Sequence, residues 1–298
     1  MSSTLPDGPP RPAAIVVNER AGSAATARVR RSVELVRRAL DADLHVAATR
    51  DPAELAAWLR ERIAPYSTVV VAGGDGSLGV AYNVLAAADV TLGWIPAGTG
   101  NATAHLLNLP RDPDRLAGVL ARGVARPLDL VSVDGHLALF AGVGWDAVVA
   151  GRYAAAGAHG LLGWGAAIAR SLPDLRRPAA VLVEADGKVI HSGPMELLVV
   201  GTTPWWGRGL LVNPGARPDA GQLTLRIYPA SVPRFALDAV RWLARRRPSV
   251  APIPARSVTV RSLDGAPLPV EADGDALEAL GEWHFEVRPA AVRLIGHW

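Results

Sequence analysis

Short hydrophobic runs alternate with amphipathic stretches through the first 126 residues. Strand-like runs occupy 13–17, 43–49, 67–74 and 90–96, and helix-like stretches occupy about 24–40, 112–123 and segments starting at Asp51, Ser77 and about Asn101. Asp51, Pro52 and Glu54 form a typical helix start, with a capping residue, a first-turn proline and an acid behind it. Because apolar strands alternate with helices, we predict a parallel sheet covered by helices on both faces.

The pattern changes after residue 126, where short strands are separated by turn signals. The strand-like segments are LDLVSV, HLALFAGV, AVLVEA, KVIHSG, MELLVVG, QLTLRIYP, SVTVRSL and WHFEVRP. Several of them are joined by Asp-Gly pairs, which favour tight hairpins. Helical patterns in this part are limited to about 145–172 and 232–247. We therefore predict an antiparallel β-sandwich or barrel.

Together these patterns predict an α/β domain with a parallel sheet, followed by an all-β sandwich domain. The expected boundaries are a disordered tail at 1–12, the α/β domain at 13–126, the β-sandwich at 127–288 and a closing strand at 289–298. The tail is rich in proline and has no apolar run, so it is not expected to join a core. The closing strand could return to the first domain.

The composition excludes several classes of protein. The 298 residues include no cysteine, so disulfides and thiolate zinc sites are absent, which fits a reducing compartment such as the cytoplasm. Lys188 is the only lysine, and it lies in the hairpin pattern VEADGKVI. P-loop enzymes and protein kinases need a lysine beside the phosphate loop, so neither class can explain phosphate chemistry here.

Positive charge is concentrated in the segment VRWLARRRPS, which holds Arg241 and the run from Arg245 to Arg247. Such a run suits the solvated C-terminal end of a helix, and it also suits contact with an anionic membrane surface. Both interpretations stay open from the sequence. Basic and aromatic residues do not interleave, so nucleic acid is not an expected partner. The uncharged stretch at 153–169 is too short to span a bilayer, so no transmembrane segment is expected.

Two glycine-rich turns follow successive predicted strands. GGDGS occupies 73–77 and PAGTGN occupies 96–101. Ligands of parallel sheets bind beyond the carboxyl ends of the strands, where glycines allow close approach and helix N-termini offer free N–H groups to phosphate. One such turn can have a purely structural cause. Two turns on successive strands predict a phosphate site between them.

Asp75 lies inside the first of these turns. A carboxylate repels a polyphosphate, so phosphate binding alone does not explain it. The presence of Asp75 is explained if a metal ion bridges its carboxylate and the polyphosphate. It is also explained if Asp75 accepts a proton from an attacking hydroxyl. The alternative is that Asp75 only caps the helix that follows it. Either active role implies phosphoryl transfer.

The two turns, in this order and spacing, resemble the catalytic domain of the diacylglycerol kinase family, which includes bacterial lipid kinases and sphingosine and ceramide kinases. The resemblance implies an α/β nucleotide domain and a β-sandwich, with ATP and lipid meeting in a cleft. It implies that ATP is bound by Asn18, Gly73, Gly74, Gly76, Ser77, Gly98, Thr99 and Asn101. After Asn18 the family usually has a proline, whereas this chain has Glu19.

The resemblance also implies acidic residues in the second domain. NPGARPDAGQLTL is similar to a segment in which two aspartates position magnesium; Asp219 matches the first, and Ala220 replaces the second. VEADGDAL is similar to an Asp-Gly-Glu segment whose acids are metal-linked or serve as the catalytic base; Asp273 matches, and Asp275 replaces the glutamate. Without the family, this segment is another hairpin turn. The candidate catalytic residues Asp75, Asp273 and Asp275 converge only if the two domains enclose a cleft.

The resemblance implies an ATP-dependent lipid kinase that transfers the γ-phosphoryl group to a lipid hydroxyl, with diacylglycerol or a related lipid alcohol as acceptor. ATP and Mg²⁺ are the expected cofactors. The expected partner is a lipid at a membrane surface, an oligomer is compatible with the sequence, and the expected location is the cytoplasm, including the inner face of the membrane. Apolar candidates for the lipid tail, each of which could instead be a core residue, are Trp145, Leu161, Leu162, Trp164, Trp205 and Trp206.

Two other functions stay open. NAD kinases also use a Gly-Gly-Asp-Gly turn without a P-loop lysine, but their later Asn-Glu pair is absent, since the only such pair here is Asn18-Glu19. A lipid-binding pseudokinase is the second alternative, because Ala220 and Asp275 depart from the family pattern. A Rossmann dehydrogenase is disfavoured, since no G-x-G-x-x-G opens the first helix.

Overall fold

The computed structural model describes residue 9 and residues 11–49, 51–86, 88–98, 100–156 and 160–296. The chain divides into two compact units, one formed by Met1–Leu128 with Ala290–Trp298 and the other by Asp129–Pro289. Most of the predicted tail lies outside the described residues, and so does Thr99.

The first unit is a parallel sheet with helices. Its strands are β1 (Ala13–Asn18), β2 (Asp43–Ala47), β3 (Thr68–Gly73) and β4 (Thr91–Pro96), and its helices are α1 (Ala27–Leu40), α2 (Pro52–Arg62), α3 (Asp75–Leu85), α4 (Ala102–Leu106) and α5 (Pro113–Arg122). The strand order is β2-β1-β3-β4, and every neighbouring pair is parallel. The prediction of an α/β domain is confirmed.

Local sequence signals account for most helix boundaries in this unit. Asp51 accepts a hydrogen bond from the Ala53 N–H at 2.8 Å and so caps α2, and Asp112 caps α5 in the same way. The cap at Asp51 was predicted, and each of the two caps satisfies an N–H group that has no partner inside its helix. Helix α3 begins at Asp75 rather than at Ser77, and α4 is a single short turn.

The second unit is built mainly from strands. They are β5 (Ala125–Val133), β6 (His136–Ala138), β7 (Phe140–Gly144), β8 (Ala179–Ala185), β9 (Lys188–Gly201), β10 (Trp205–Trp206), β11 (Leu210–Leu211), β12 (Leu223–Pro229), β13 (Ile253–Ala255), β14 (Ser257–Ser262), β15 (Val270–Ala272), β16 (Asp275–Ala276) and β17 (Glu282–Ile295). The helices are α6 (Trp145–Ala155), α7 (Gly160–Ser171) and α8 (Val232–Leu243), with 3-10 turns at Leu172–Arg176 and Gly207–Gly209.

The strands of the second unit pair antiparallel in the order β16-β15-β7-β9-β8-β14-β17, and β12 joins β9 with β13 outside it. The predicted Asp-Gly hairpins are present, with positive φ at Asp134, Asp186 and Asp273 and at the glycine after each. Valine, leucine and phenylalanine side chains of these strands form the core. The antiparallel prediction is confirmed.

Strand β17, whose last part falls in the predicted closing strand, changes partners along its length within one continuous sheet. The first part of β17 pairs antiparallel with β14, whereas Arg293 and Leu294 pair parallel with Thr91 and Leu92 of β4. Ile295 is buried in the core of the first unit. Among the described residues, no helix combines the length and the apolar character needed to cross a membrane.

Candidate active site

The two glycine-rich turns begin side by side, at the ends of the neighbouring strands β3 and β4. Strands β3 and β4 pair in a register that sets Gly73 opposite Pro96, and the Ala97 N–H donates to the Gly73 carbonyl at 2.8 Å. The Trp94 indole N–H donates to the same carbonyl at 3.0 Å. The ends of the two strands are therefore tied together where the turns begin.

The glycines of the turns pack backbone against backbone. A Cβ atom on Gly98 would lie 2.6 Å from the Gly74 Cα, and a Cβ on Gly74 would lie 3.2 Å from the Gly98 Cα. A Cβ on Gly73 would lie 2.5 Å from the Cβ of Ser77. Gly76 differs, because a Cβ there would meet no atom within 4 Å. Three glycines are thus required by packing, while Gly76 borders open space.

Asn18, at the end of β1, joins this group through a buried hydrogen bond. Its Nδ2 donates to the Ser77 Oγ at 3.0 Å, and its Oδ1 accepts from the Arg20 N–H at 3.1 Å. Since Ser77 Oγ accepts the bond from Asn18, its hydroxyl hydrogen can point to another acceptor. The structure thus brings Asn18 and Ser77 together, as the candidate ATP site requires.

The side chain of Asn101 forms hydrogen bonds within the second turn. Its Oδ1 accepts from the Gly98 N–H at 2.9 Å, and its Nδ2 donates to the Gly98 carbonyl at 2.8 Å. The residue adopts the left-handed conformation, with φ 49°, which asparagine tolerates better than most residues. Both amide groups are used inside the turn, so Asn101 holds the turn in shape.

Asp75 links the first turn to the second. Its Oδ2 accepts from the Ala102 N–H and its Oδ1 from the Thr103 N–H, both at 3.1 Å. It therefore caps α4, and the alternative that it only caps its own following helix is wrong. Each carboxylate oxygen can accept a further hydrogen bond, so the catalytic assignment of Asp75 stays a prediction.

The N-terminus of α3 is open to an anion. The first N–H groups of a helix, here those of Asp75, Gly76 and Ser77, have no partner within the helix, and no side chain caps α3 in the described structure. The aligned peptide dipoles also give this end a partial positive charge. With free space beside Gly76, the end of α3 has the features of a phosphate site that needs no lysine.

Asp273 and Asp275 share one hairpin turn of the second unit. The Asp273 Oδ1 accepts from the N–H groups of Leu139 at 3.0 Å and Phe140 at 3.1 Å, so the backbone fixes its carboxylate. Asp275 lies on the exposed strand β16, yet partial burial of its carboxyl group raises its pKa, and His136 acts in the opposite direction. The two aspartates thus have different surroundings.

Asp219, the candidate magnesium ligand, forms an exposed ion pair with Arg217 at 3.1 Å. In the described part of the chain, no group of three or more His, Cys, Asp or Glu residues could hold a metal ion. Magnesium that arrives with a nucleotide needs only one or two protein carboxylates, since phosphates and waters complete its shell. Asp219 fits this limited role, which stays a prediction.

A buried carboxyl pair, which the sequence did not reveal, lies beside the Asp273 turn. Asp146 lies in the first turn of α6, and Glu271 lies on β15. Burial raises the pKa of Asp146 to about 7. Burial, and next the charge of Asp146, raise the pKa of Glu271 well above its usual range. Asp146 Oδ2 and Glu271 Oε1 are shielded from solvent, and one proton held between the carboxyl groups would relieve their repulsion.

Two neighbouring glycines accommodate this carboxyl pair, one by leaving space and one by donating a hydrogen bond. A Cβ on Gly142 would lie 1.6 Å from the Asp146 Oδ2, so only glycine leaves room for the carboxyl group. The Glu271 Oε2 accepts from the Gly274 N–H at 2.6 Å, which ties the pair to the turn that carries Asp273. One signal was visible in the sequence, since a glutamate between Val270 and Ala272 in an apolar strand is unusual.

The tryptophans proposed for the lipid tail have protein partners in the second unit. Trp145 donates to the Ser171 carbonyl at 2.7 Å and lies edge-on to Phe235. Trp164 stacks on Tyr153, Trp206 stacks on Phe140, and Arg245 lies over Trp205. Leu162 is exposed, and the side chain of Leu161 lies outside the described part. These contacts agree with the alternative that the tryptophans have packing roles.

The first prediction concerns the glycine contact. Gly98→Ala should lower the free energy of unfolding by about 1–3 kcal/mol, because the new Cβ would lie 2.6 Å from the Gly74 Cα and 2.9 Å from the Asn101 Oδ1. Gly76→Ala is the matched control, and it should leave stability unchanged or raise it by up to about 1 kcal/mol, since it adds a helix-favouring residue in open space. Thermal and urea denaturation measure both changes. Equal stability of the two variants would contradict the packing assignment.

The second prediction concerns pH. Because the folded-state pKa of Asp146 is raised to about 7, the folded protein holds a proton that the unfolded chain has lost between about pH 4 and 7. Stability should therefore fall as pH rises through this window, with a contribution of about 1 kcal/mol per pH unit. Asp146→Asn should remove that contribution in urea titrations. Asp134→Asn, at an exposed Asp-Gly turn, should leave the slope unchanged, and an unaltered slope in Asp146→Asn would refute the assignment.

Comparison with known proteins agrees with the two-part fold described above. Residues 12–133 match the model of the diacylglycerol kinase catalytic domain, and residues 140–296 match the YegS C-terminal NAD kinase beta sandwich-like domain. Crystal structures from Bacillus anthracis strain Sterne share the fold over 96% of each chain. One of them, described as a diacylglycerol kinase, has a TM-score of 0.72 and a sequence identity of 19%. Another has a TM-score of 0.75 and a sequence identity of 21%.

Curated relatives carry similar names. A diacylglycerol kinase of Mycobacterium tuberculosis is 32% identical over 165 residues, and the match spans about half of each chain, 53%. A Pseudomonas fluorescens protein named "Probable lipid kinase YegS-like" is 29% identical over 282 residues, 89% of each chain. The second family model alone covers more than half of the sequence, and it confirms the β-sandwich prediction. The two matches together show that the chain belongs to the diacylglycerol kinase catalytic-domain family with a YegS-type C-terminal domain.

Proposed function

We propose that the protein is an ATP-dependent lipid kinase that transfers the γ-phosphoryl group of ATP to a lipid hydroxyl, with diacylglycerol or a related lipid alcohol as the acceptor. The observation that carries the proposal is the backbone contact between Gly74 and Gly98 in a member of this family. This contact sets two glycine turns side by side at the carboxyl ends of parallel strands, where such sheets bind ligands.

In this proposal, the phosphates of ATP are bound by main-chain N–H groups at the start of α3. Gly76 leaves room for the phosphate, and the Ser77 hydroxyl donates to it while Asn18 holds the serine in place. Asn101 keeps the second turn in the shape that lines the site. Charge stabilisation comes from the amides and from the end of the helix, since the only lysine, Lys188, lies at the start of β9 in a hairpin of the second unit.

The chemical step needs a base for the acceptor hydroxyl. The lipid oxygen attacks the γ-phosphorus, the bond from that phosphorus to the β,γ-bridging oxygen breaks, ADP leaves, and the hydroxyl proton passes to a carboxylate. Asp275 is the better candidate, because burial raises its pKa toward the working range of a base. Asp273 is then a positioning residue, since backbone amides already bind its carboxylate.

Magnesium would be held by Asp219 together with the phosphates, and it would supply charge neutralisation during transfer. Arg217 pairs with Asp219 in the described structure, so nucleotide binding must compete with that ion pair. The lipid acceptor places the proposed reaction at a membrane surface, on the cytoplasmic side where ATP is present.

The third prediction tests the reaction directly. Purified protein with labelled ATP and Mg²⁺ should phosphorylate diacylglycerol, or another lipid of a panel with monoacylglycerol and sphingoid base, and should leave NAD unmodified. Phosphorylation of NAD alone would establish the NAD kinase alternative, which the description of the C-terminal domain model keeps relevant. ATP binding without transfer to any panel member would establish a pseudokinase.

Gly76→Ala serves as the matched variant in this assay. Its Cβ would occupy the open space beside α3, so ATP binding should weaken while the melting temperature is kept. Unchanged ATP affinity in this variant would show that phosphate does not approach the backbone there.

The fourth prediction concerns the base. Asp275→Asn should lower kcat by about 10²–10⁴-fold with a small change in KM, because an amide cannot accept the proton. Asp275→Glu should recover part of the rate, as it restores the carboxylate. The rate of the wild type should fall on the acidic side as Asp275 becomes protonated, and this limb should be missing in Asp275→Asn. Wild-type kcat in Asp275→Asn would exclude Asp275 as the base.

A further inference from the structure

Helix α8 (Val232–Leu243) is fixed to the second unit by its inner face. Phe235 and Trp242 pack edge-to-face on each other and on Tyr228, with ring centroids 5.5–5.8 Å apart. Asp238 is fully buried, and it accepts hydrogen bonds from the Ser249 N–H and Oγ, both at 2.8 Å. These contacts determine which side of the helix faces solvent.

The outer side of α8 is apolar. The exposed residues of this side are Val232, Pro233, Ala236, Leu237, Val240, Leu243 and Ala244. At 100° per residue they cover about 140° of the helix circumference without a charged residue. Leu237, Val240 and Leu243 are 51%, 62% and 73% exposed. A surface helix normally has polar residues on this side, so the apolar face calls for a partner.

The helix ends in a way that presents positive charge next to this face. Arg245 has φ 52°, its N–H donates to the Trp242 carbonyl at 3.1 Å, and the Arg246 N–H donates to the Arg241 carbonyl at 2.8 Å. This is a Schellman ending with arginine at the left-handed position. Arg245, Arg246 and Arg247 are exposed. The guanidinium carbon Cζ of Arg245 lies 5.6 Å from the ring centre of Trp205.

Negative charge is nearly absent from the segment that forms this face and the arginine run. Asp238 is the only acidic residue in the segment 232–250, and it is buried and paired with Arg241 at 3.0 Å. An apolar helical face flanked by cations complements a bilayer with anionic head groups, because the side chains enter the acyl boundary while the guanidinium groups meet phosphates. A neutral protein partner would not require the arginines.

We propose that the outer face of α8, together with Arg245, Arg246 and Arg247, is the surface by which the protein binds anionic lipid bilayers. The inference extends the proposed lipid kinase function, since it says where the protein meets the membrane that contains its acceptor. For the basic run, the proposal favours membrane contact over the alternative of a solvated helix end. Binding is measured without ATP, so it can be tested apart from catalysis.

The fifth prediction uses full-length protein and sedimented vesicles. Wild type should bind vesicles of phosphatidylglycerol and phosphatidylcholine, and binding should weaken as salt is raised and be far weaker with phosphatidylcholine alone. Val240→Gln/Leu243→Gln should weaken binding about tenfold or more. Val189→Gln/Leu263→Gln changes side chains of similar exposure, 57% and 52%, in the same unit and should bind as wild type.

The charge component has its own pair of variants. Arg246→Gln/Arg247→Gln should weaken binding to anionic vesicles about tenfold or more, whereas Arg28→Gln/Arg30→Gln, on exposed positions of α1, should not. Circular dichroism and melting curves verify that each variant folds. Equal binding by all four variants, or no binding by wild type, would overturn the proposal. A wild-type dimer that Val240→Gln/Leu243→Gln converts to monomer would assign the face to a second copy instead.

Kinase activity separates this proposal from the function on which it rests. With a short-chain diacylglycerol dispersed in detergent, Val240→Gln/Leu243→Gln should keep wild-type activity, and with vesicle-embedded diacylglycerol it should lose activity in proportion to binding. If no lipid is phosphorylated by wild type but vesicle binding follows the pattern above, the lipid kinase function fails while the membrane surface stands.

Discussion

The candidate ATP site depends on one contact, the approach of the Gly74 backbone to the Gly98 backbone. Side chains at either position would push the two turns apart, because the atoms they would strike belong to the main chain. Asp75 reinforces the contact from the first turn by accepting hydrogen bonds from the Ala102 and Thr103 N–H groups beyond the second. The described residues of the two turns are therefore held together before any ligand arrives, which reduces the ordering entropy that binding must overcome.

This prior ordering matters because neither glycine turn contains a lysine that could assist the proposed phosphate site. A flexible ammonium group can follow a phosphate, whereas main-chain N–H groups bind only if they already point at it. The open start of α3 and the tie between Asn18 and Ser77 provide such fixed donors. The glycines thus serve two purposes. Gly73, Gly74 and Gly98 allow the turns to pack, and Gly76 leaves space for the ligand.

Features that depend on neighbouring residues could be predicted from the sequence. The caps at Asp51 and Asp112 and the Asp-Gly hairpins are encoded within a few positions, and so is the alternation of strands and helices. The long-range partners could not be predicted, because they are set by packing. Nothing around Asp75 indicates that it binds amides beyond the next strand, and nothing around Asp146 indicates that it meets Glu271.

The end of α8 shows how a local preference can be overridden. A left-handed residue after a helix is most often glycine, and an arginine there carries a conformational penalty of about 1–2 kcal/mol. The guanidinium group of Arg245 recovers part of this by lying over Trp205, an interaction of about 0.5–1 kcal/mol at exposed sites. The two hydrogen bonds of the Schellman ending, from the Arg245 N–H to the Trp242 carbonyl and from the Arg246 N–H to the Arg241 carbonyl, also stabilise this conformation. The fold therefore accounts for the conformation of Arg245, whereas it does not account for the exposed apolar face beside it, and that face is the feature that calls for the proposed membrane contact.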